Sequence, residues 1–355
     1  MTPGLAGGIA CRVFLAQATM APMKIALILL PAFVVLVSIV EAQGADDTAD
    51  AHIAAAKAGA GDDFQNLFNF QCYGPGPGGQ RAAPGAPAGR GAARGGGRGG
   101  GRAPGPPDRS IWYAEPVKVF DNLYFFGQSE YAVWAITTSD GIIVLDTIFD
   151  YSVEEEVAKG MKKLGLDPAN IKYAVVTHPH PDHDGGARFL QEHYGTRVIM
   201  SPADWDVLDR RTNGTKPKRD LEATDGQKLT LGDTTITLYI TPGHTPGTLS
   251  VVFPVKDNGT PHIAALWGGV GLNADKESVQ TYIRSAQRFS GIVKQAGADI
   301  IFANHTDWDR SKINLPMLAK RAPGAPNPYI VGNAKALNFL KVAEECATAR
   351  VVGVN

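Results

Sequence analysis

The chain has 355 residues, 44% of them apolar, with 34 Lys and Arg against 35 Asp and Glu and a formal net charge of −1. Such a balance supports a large buried core and excludes two classes at once: a chain too polar to fold, and a strongly basic nucleic-acid binder. Basic and acidic side chains are unevenly placed, seven against six in residues 43–110, which leaves the remainder from residue 111 slightly acidic.

Near the start, Met23-Lys24 precedes the apolar run Ile25 to Val40, and Val40-Glu41-Ala42 follows as a small-residue cleavage site. This is the layout of a secretory signal, and the run is short for a membrane span. Residues 1–42 are therefore expected to be a signal region, with Met23 an alternative start, and the mature chain to be periplasmic or secreted. An Ala-rich piece follows, then Asp62 to Phe68 as a candidate short helix. From Gly74 to Pro107 the chain is almost entirely Gly, Pro, Ala and Arg, with Arg81, Arg90, Arg94, Arg98 and Arg102 and no acidic residue. A tract of this kind buries too little apolar surface to offset its ordering entropy, so residues 43–110 are expected to form a disordered tether. Arg-Gly repeats can bind RNA. In an exported chain with an acidic body the expected contact is instead a weak one with anionic envelope surfaces, and no nucleic acid is expected as a partner.

From Ile111 to the end the pattern is globular. Val117 to Phe126 and Ala132 to Asp146 alternate or run apolar, with Ser139-Asp140-Gly141 as a hairpin turn. Ser152 to Leu164 has helical periodicity, Ser152 being a candidate cap ahead of Glu154, Glu155 and Glu156. The apolar strand Tyr173 to Val176 then feeds Thr177-His178-Pro179-His180-Pro181-Asp182-His183-Asp184-Gly185-Gly186. His178 and His180, two apart, can offer both imidazoles to one cation from an extended backbone, and Asp182 and His183 can face a second from the following turn. Neutral imidazoles with a carboxylate suit zinc best, and are compatible with iron or manganese.

A helix from Ala187, a strand Arg197 to Met200 and a helix after Ser201-Pro202 close the first half. Two strands around Gly232-Asp233 lead into Thr241-Pro242-Gly243-His244-Thr245-Pro246-Gly247, followed by strands Leu249 to Val255 and His262 to Trp267. A helix Lys276 to Gln295, the strand Ile300 to Ala303 ahead of Asn304-His305, and a last helix through Ala347 complete the chain. Strands followed by helices in each half predict an α/β fold, two sheets packed face to face and flanked by helices. His244 and His305, each in a loop at a strand end, are the candidates to complete the metal site. His193 and His262 read as structural, and Trp205, Trp267 and Trp308 as pocket lining or core. Cys72 and Cys346 could pair in an exported protein, although Cys72 borders the tether, which argues against it.

The order His178-x-His180-x-Asp182-His183, then the Gly-His-Thr-Pro-Gly turn at His244, then His305 resembles the metallo-β-lactamase superfamily over roughly Val117 to Asp309. The resemblance implies an αββα sandwich of two mixed sheets. It implies that His178, His180 and His244 hold one zinc ion and Asp182, His183 and His305 a second, with Asp182 also orienting the nucleophile or passing a proton. Many members, lactonases, glyoxalase-type thioesterases and di-iron members among them, carry a bridging Asp where this chain has Ala265 to Gly271 without a carboxylate, which disfavours those activities. The pattern resembles the third subclass of metallo-β-lactamases, although the serines usual near the fourth position are absent from Gly268 to Gly271. The implied function is zinc-assisted attack of water on the carbonyl of a small molecule, a β-lactam first, a lactone or ester as the alternative, and a nuclease the least favoured. Asp146 occupies the position of a family residue that supports the histidine loop.

Overall fold

Two β-sheets lie face to face in the computed structural model, which describes residues 47–74 and 106–353. The first sheet runs β1 (Val117–Phe120), β2 (Leu123–Gly127), β3 (Ala132–Thr138), β4 (Gly141–Leu145), β5 (Ile171–Val175), β6 (Arg197–Met200) and β7 (Leu221–Glu222), in that spatial order. It is antiparallel from β1 to β4 and parallel from β4 to β7. The second contains β8 (Gln227–Leu231), β9 (Thr234–Ile240), β10 (Leu249–Asp257), β11 (Thr260–Trp267) and β12 (Ile300–Ala303), ordered β12-β11-β10-β9-β8, with only the β11–β12 pair parallel. Both sheets are mixed, as expected, and the turns at Ser139-Asp140 and Gly232-Asp233 fall between paired strands.

The period of two in the apolar sequence decides which side chains meet. Trp134, Ile136, Ile143, Leu145, Val251, Phe253, Leu266 and Phe302 point between the sheets and form the central core. Their neighbours Val133, Ala135, Ile142 and Val144 point outwards from the first sheet, and Ala265, Trp267, Ile301 and Ala303 outwards from the second. A strand buried on both faces must be apolar at every position, which is why β3, β4 and β12 read as continuous rather than alternating runs. The first outer face is covered by a π-helical turn Glu154–Ala158 running into α3 (Lys159–Lys163), by α5 (Ala187–Tyr194) and by α6 (Pro202–Arg210), with the short α4 (Pro181–Asp184) between. The second is covered by α7 (Lys276–Ala296) and α9 (Asn333–Val352), while α8 (Ser311–Leu318) lies near β1.

The tether expectation is corrected over part of its length. Residues Ala49–Ala60 form α1 and Gln65–Tyr73 form α2, and both pack on α9. Ala56, Ala60, Phe64, Leu67 and Phe68 are buried there. The disorder argued for the Gly, Pro and Arg tract does not extend to the Ala-rich piece, whose composition favours helix, nor to the candidate helix at Asp62 to Phe68, which overlaps α2; tertiary packing supplies what a short isolated helix lacks. Cys72 is joined to Cys346 in α9 by a disulfide across 274 residues, so its position beside the tether did not keep it from pairing. Residues 1–46, with the expected signal, and residues 75–105, with the Arg-Gly tract, lie outside the described residues.

One smaller expectation changes, and another is decided between its two alternatives. Ser152 caps no helix: its buried hydroxyl accepts from Gln128 Nε2 at 2.8 Å and donates to the Phe149 carbonyl at 3.2 Å. Trp205 and Trp267 are core side chains, 0% and 1% exposed, each with its indole N–H bonded inside the protein.

Candidate metal centre

The histidine loop leaves β5 at one edge of the sandwich, and three backbone hydrogen bonds fix its departure. Val176 N–H donates to the Ile199 carbonyl at 2.9 Å, Asp146 N–H to the Val175 carbonyl at 2.9 Å, and Leu249 N–H, from the second sheet, to the Thr177 carbonyl at 2.8 Å. His180 has extended backbone ahead of Pro181, and α4 starts there because proline has no N–H to lose at a first helical position. His178 and His180 are thereby turned to one side, and Asp182 and His183 to the other.

His244 joins the first pair from the turn after β9. Gly243 has φ +135°, and a side chain on it would meet the Tyr282 backbone. The turn is held from inside by the buried carboxylate of Asp204, which accepts from Thr245 Oγ1 at 2.7 Å and Gly247 N–H at 2.8 Å. Burial pushes the Asp204 carboxyl up to about 6. His305 follows β12 and joins the second group. Its loop is secured by the Thr306 hydroxyl donating to the Ser129 carbonyl and by Asp309, which accepts from the amides of Ala303 and Ser311 at 2.9 Å each.

The result is two trios of donor atoms. His244 Nε2 lies 3.1 Å from His178 Nε2 and 3.2 Å from His180 Nδ1. Asp182 Oδ2 lies 3.1 Å from His183 Nε2 and 3.6 Å from His305 Nε2. Within each trio the atoms all fall within 4.8 Å of one another. Bond lengths of about 2.0–2.1 Å in a tetrahedral zinc site put neighbouring ligand atoms about 3.3 Å apart, so both trios have the spacing a metal ion needs. His183 Nε2 is buried and faces only the Asp182 carboxylate, at 3.1 Å, so a cation between Asp182 and His305 would find its lone pair aimed inwards. All six residues expected from the sequence are brought together, and no other group of three or more such side chains occurs among the described residues.

In three of the five ligand rings the remaining nitrogen is held by a group behind it. His178 Nδ1 donates to the Gly268 carbonyl at 2.9 Å, and His244 Nδ1 to the Gly271 carbonyl at 2.8 Å. His183 Nδ1 donates to Asp146 Oδ2 at 2.9 Å. Such bonds fix tautomer and ring plane and present the opposite nitrogen's lone pair to the metal. Asp146 has the supporting position expected of it, and also accepts from Thr177 N–H at 2.7 Å and Thr177 Oγ1 at 3.0 Å. The stretch Gly268 to Gly271, which lacks both carboxylate and serine, is therefore a rack of carbonyls. At Gly269 a Cβ would lie 2.6 Å from His244 Cβ, so a side chain has no room there.

Charge is set to suit cation binding. Burial pushes the His178 imidazolium well below its ordinary value, and His244 and His305 down to about 3, so all three are neutral at pH 7. Burial opposes ionisation of Asp182, but His183 beside it holds its carboxyl well below the usual range. Burial likewise opposes protonation of His183, yet the carboxylates of Asp182 and Asp146 raise it to about 10. A metal ion would take over the role of that proton at Nε2.

Aromatic side chains wall the centre. Tyr131 has its ring 5.0 Å from that of His305 and meets Phe149 edge-on. Trp308 lies 6.3 Å from the His305 ring, as the pocket reading of that residue anticipated, and stacks on Phe70 of α2 at 4.3 Å. His193 packs on Phe189, and His262 pairs with Asp299 at 2.6 Å, both away from the trios. Sequence reasoning missed Asp204, Asn304 and Phe70. Asn304 Nδ2 bonds both Thr177 Oγ1 at 3.0 Å and the Gly268 carbonyl at 2.7 Å, and its place directly before His305 was the one available signal.

Residues 127–257 match the family model described as the metallo-beta-lactamase superfamily. Among curated proteins the chain is similar to a hydroxyacylglutathione hydrolase of Neisseria meningitidis serogroup A, 27% identical over 42% of this chain and 60% of that protein. It is also similar to the N-acyl homoserine lactonase AttM of Azorhizobium caulinodans, 24% identical over 45% of this chain and 68% of the relative. The chain thus spans less than two thirds of the meningococcal relative's length. Among solved structures it is similar to BJP-1, a subclass B3 metallo-beta-lactamase of Bradyrhizobium japonicum, with 27% identity, a TM-score of 0.56, and coverage of 66% of this chain and 92% of that one. The native FEZ-1 metallo-beta-lactamase of Legionella gormanii shares the fold at 22% identity and a TM-score of 0.60, over 68% of this chain and 98% of that one.

Proposed function

We propose, from the premise that this chain carries a metallo-beta-lactamase superfamily domain, that it is an exported di-zinc hydrolase whose substrate is a β-lactam. The observation that carries the reading is the pair of trios, His178, His180 and His244 beside Asp182, His183 and His305, with no carboxylate in the stretch Gly268 to Gly271 that backs the first trio. Similarity to BJP-1 supports the same substrate class.

The trios would hold two zinc ions, which supply Lewis acidity and lower the pKa of a bound water towards neutrality. The protein's own contribution is placement. Carbonyls of Gly268 and Gly271 orient the first trio, and Asp146 orients His183 in the second. Asp182, in the second trio, would orient the attacking water, whose proton must reach the leaving nitrogen as the C–N bond breaks. Tyr131 and Trp308 form uncharged walls beside His305, suited to an apolar part of the substrate. The Cys72–Cys346 disulfide supports an oxidising compartment, and with it export of the mature chain.

A second reading has its own support. The curated relatives include hydroxyacylglutathione hydrolases and a lactonase, and the same two trios would serve an acyl-glutathione or a lactone, where a sulfur or oxygen leaves in place of nitrogen.

Zinc-loaded protein should be assayed with nitrocefin and a carbapenem, beside an acyl-homoserine lactone and an acyl-glutathione, with His180→Ala as control. Turnover of the β-lactams that disappears in the control is the expected result. Turnover confined to the lactone or the acyl-glutathione would replace the substrate, and no turnover of any with two zinc ions bound would overturn the proposal.

A further inference from the structure

Helix α2 touches the metal centre from behind. Gln71, fully buried, donates through Nε2 to the Val270 carbonyl at 2.6 Å and to the Tyr282 hydroxyl at 2.7 Å. Val270 lies inside the stretch whose neighbouring carbonyls, Gly268 and Gly271, orient His178 and His244. The Tyr282 hydroxyl receives the Trp267 indole N–H at 3.0 Å and lies 3.3 Å from the same Val270 carbonyl. One residue earlier, Phe70 stacks on Trp308 beside the second trio. One residue later, Cys72 is bonded to α9.

The direction of the Gln71 amide is fixed by chemistry. Turned over, its oxygen would face the Val270 carbonyl, acceptor against acceptor, so the NH2 must point there. Its own oxygen, Oε1, is then buried without a partner, a cost an apolar side chain of equal length would avoid. What the amide provides in return is a hydrogen-bonded hold on the Val270 carbonyl, added to the anchoring of its buried side chain, in a stretch flanked by Gly269 and Gly271.

We infer that Gln71 is a positioning residue of the first metal trio, acting through the Val270 carbonyl on the Gly268 to Gly271 rack, and that the N-terminal helices are part of the metal centre's frame. The inference rests on the proposed metal site and does not depend on the substrate. Loss of the bond would let the rack shift, and the Nδ1 bonds of His178 and His244 with it, a change of the kind that costs 10- to 100-fold in metal affinity.

The test is cobalt titration of metal-free full-length protein, read by visible absorption and by competition with a chelator. Gln71→Met should weaken binding at the first trio roughly tenfold or more and alter the visible bands, with the far-UV circular dichroism unchanged. Leu67→Ala, a buried α2 change that leaves Val270 untouched, should lower Tm and leave the cobalt affinity and bands as they were. Equal cobalt behaviour in Gln71→Met and wild type would overturn the inference, as would an equal shift in Leu67→Ala. If Gln71→Met fails to fold, Tyr282→Phe probes the same network and should weaken cobalt in the same direction; no change would overturn the inference. Wild-type protein that binds no cobalt would sink the proposed function as well, whereas cobalt binding without turnover would remove only the substrate reading.

Discussion

Asp146 Oδ2 and His183 Nδ1 meet at 2.9 Å, both side chains 1% exposed, and the backbone of Asp146 is left-handed at φ +62°. The carboxylate also holds the amide and hydroxyl of Thr177, so one side chain steadies both ends of the histidine loop. Asn tolerates left-handed backbone nearly as well as Asp, which makes Asp146→Asn a test of charge and acceptor number alone. We expect the second metal ion to bind about 10- to 100-fold more weakly while the first is retained, measured by metal content after dialysis against buffered zinc. Loss of both ions together would show that Asp146 supports the loop rather than His183.

Gly269→Ser would restore a hydroxyl to the stretch that lacks one. The geometry predicts the opposite of a gain: a Cβ at 2.6 Å from His244 Cβ displaces that ring. The variant should bind one metal ion fewer per chain than wild type, counted by atomic absorption. A serine variant with full metal content would show that the rack can yield.

Asp309 is buried, and that burial raises its carboxyl from 3.8 to about 7. Between those values the folded chain keeps a proton that the unfolded chain has lost, so this residue's contribution to stability falls as pH rises from about 4 to about 7 and is level above. Asp309→Asn removes the titration. Urea midpoints across that range should therefore fall with pH more steeply in wild type than in the variant; parallel profiles would contradict the assignment.

The Cys72–Cys346 disulfide closes a long loop and anchors α2 to α9. Cys346→Ser should cost about 2–5 kcal/mol of stability, seen as a lower Tm under non-reducing conditions. Dithiothreitol should lower the wild-type Tm and leave that of the variant unchanged.

Much of this architecture was legible in the residues. The apolar runs through Ala132 to Asp146 and Ile300 to Ala303 marked strands, without showing which side chains face inwards, and the spacing of His178, His180, Asp182 and His183 marked the metal loop before any fold was in view. What escaped notice acts across sequence. Asp204 serves a turn 41 and 43 residues away, and Gln71 reaches a carbonyl 199 residues on; neither has a local pattern to announce it. Helices α1 and α2 looked non-globular because their partner, α9, comes at the far end of the chain.

His178 stands on the first sheet, while the carbonyl that orients it, Gly268, follows β11 of the second. Leu249 and Asn304 add two more cross-links at the same edge, both to Thr177. The sandwich is therefore sewn along the seam where the metals would sit, and the sheets cannot shear past one another without unpicking the donor geometry. Metal retention would then report on sheet alignment, and a stress that loosens the core far from the loops would register first as leakage of the ions.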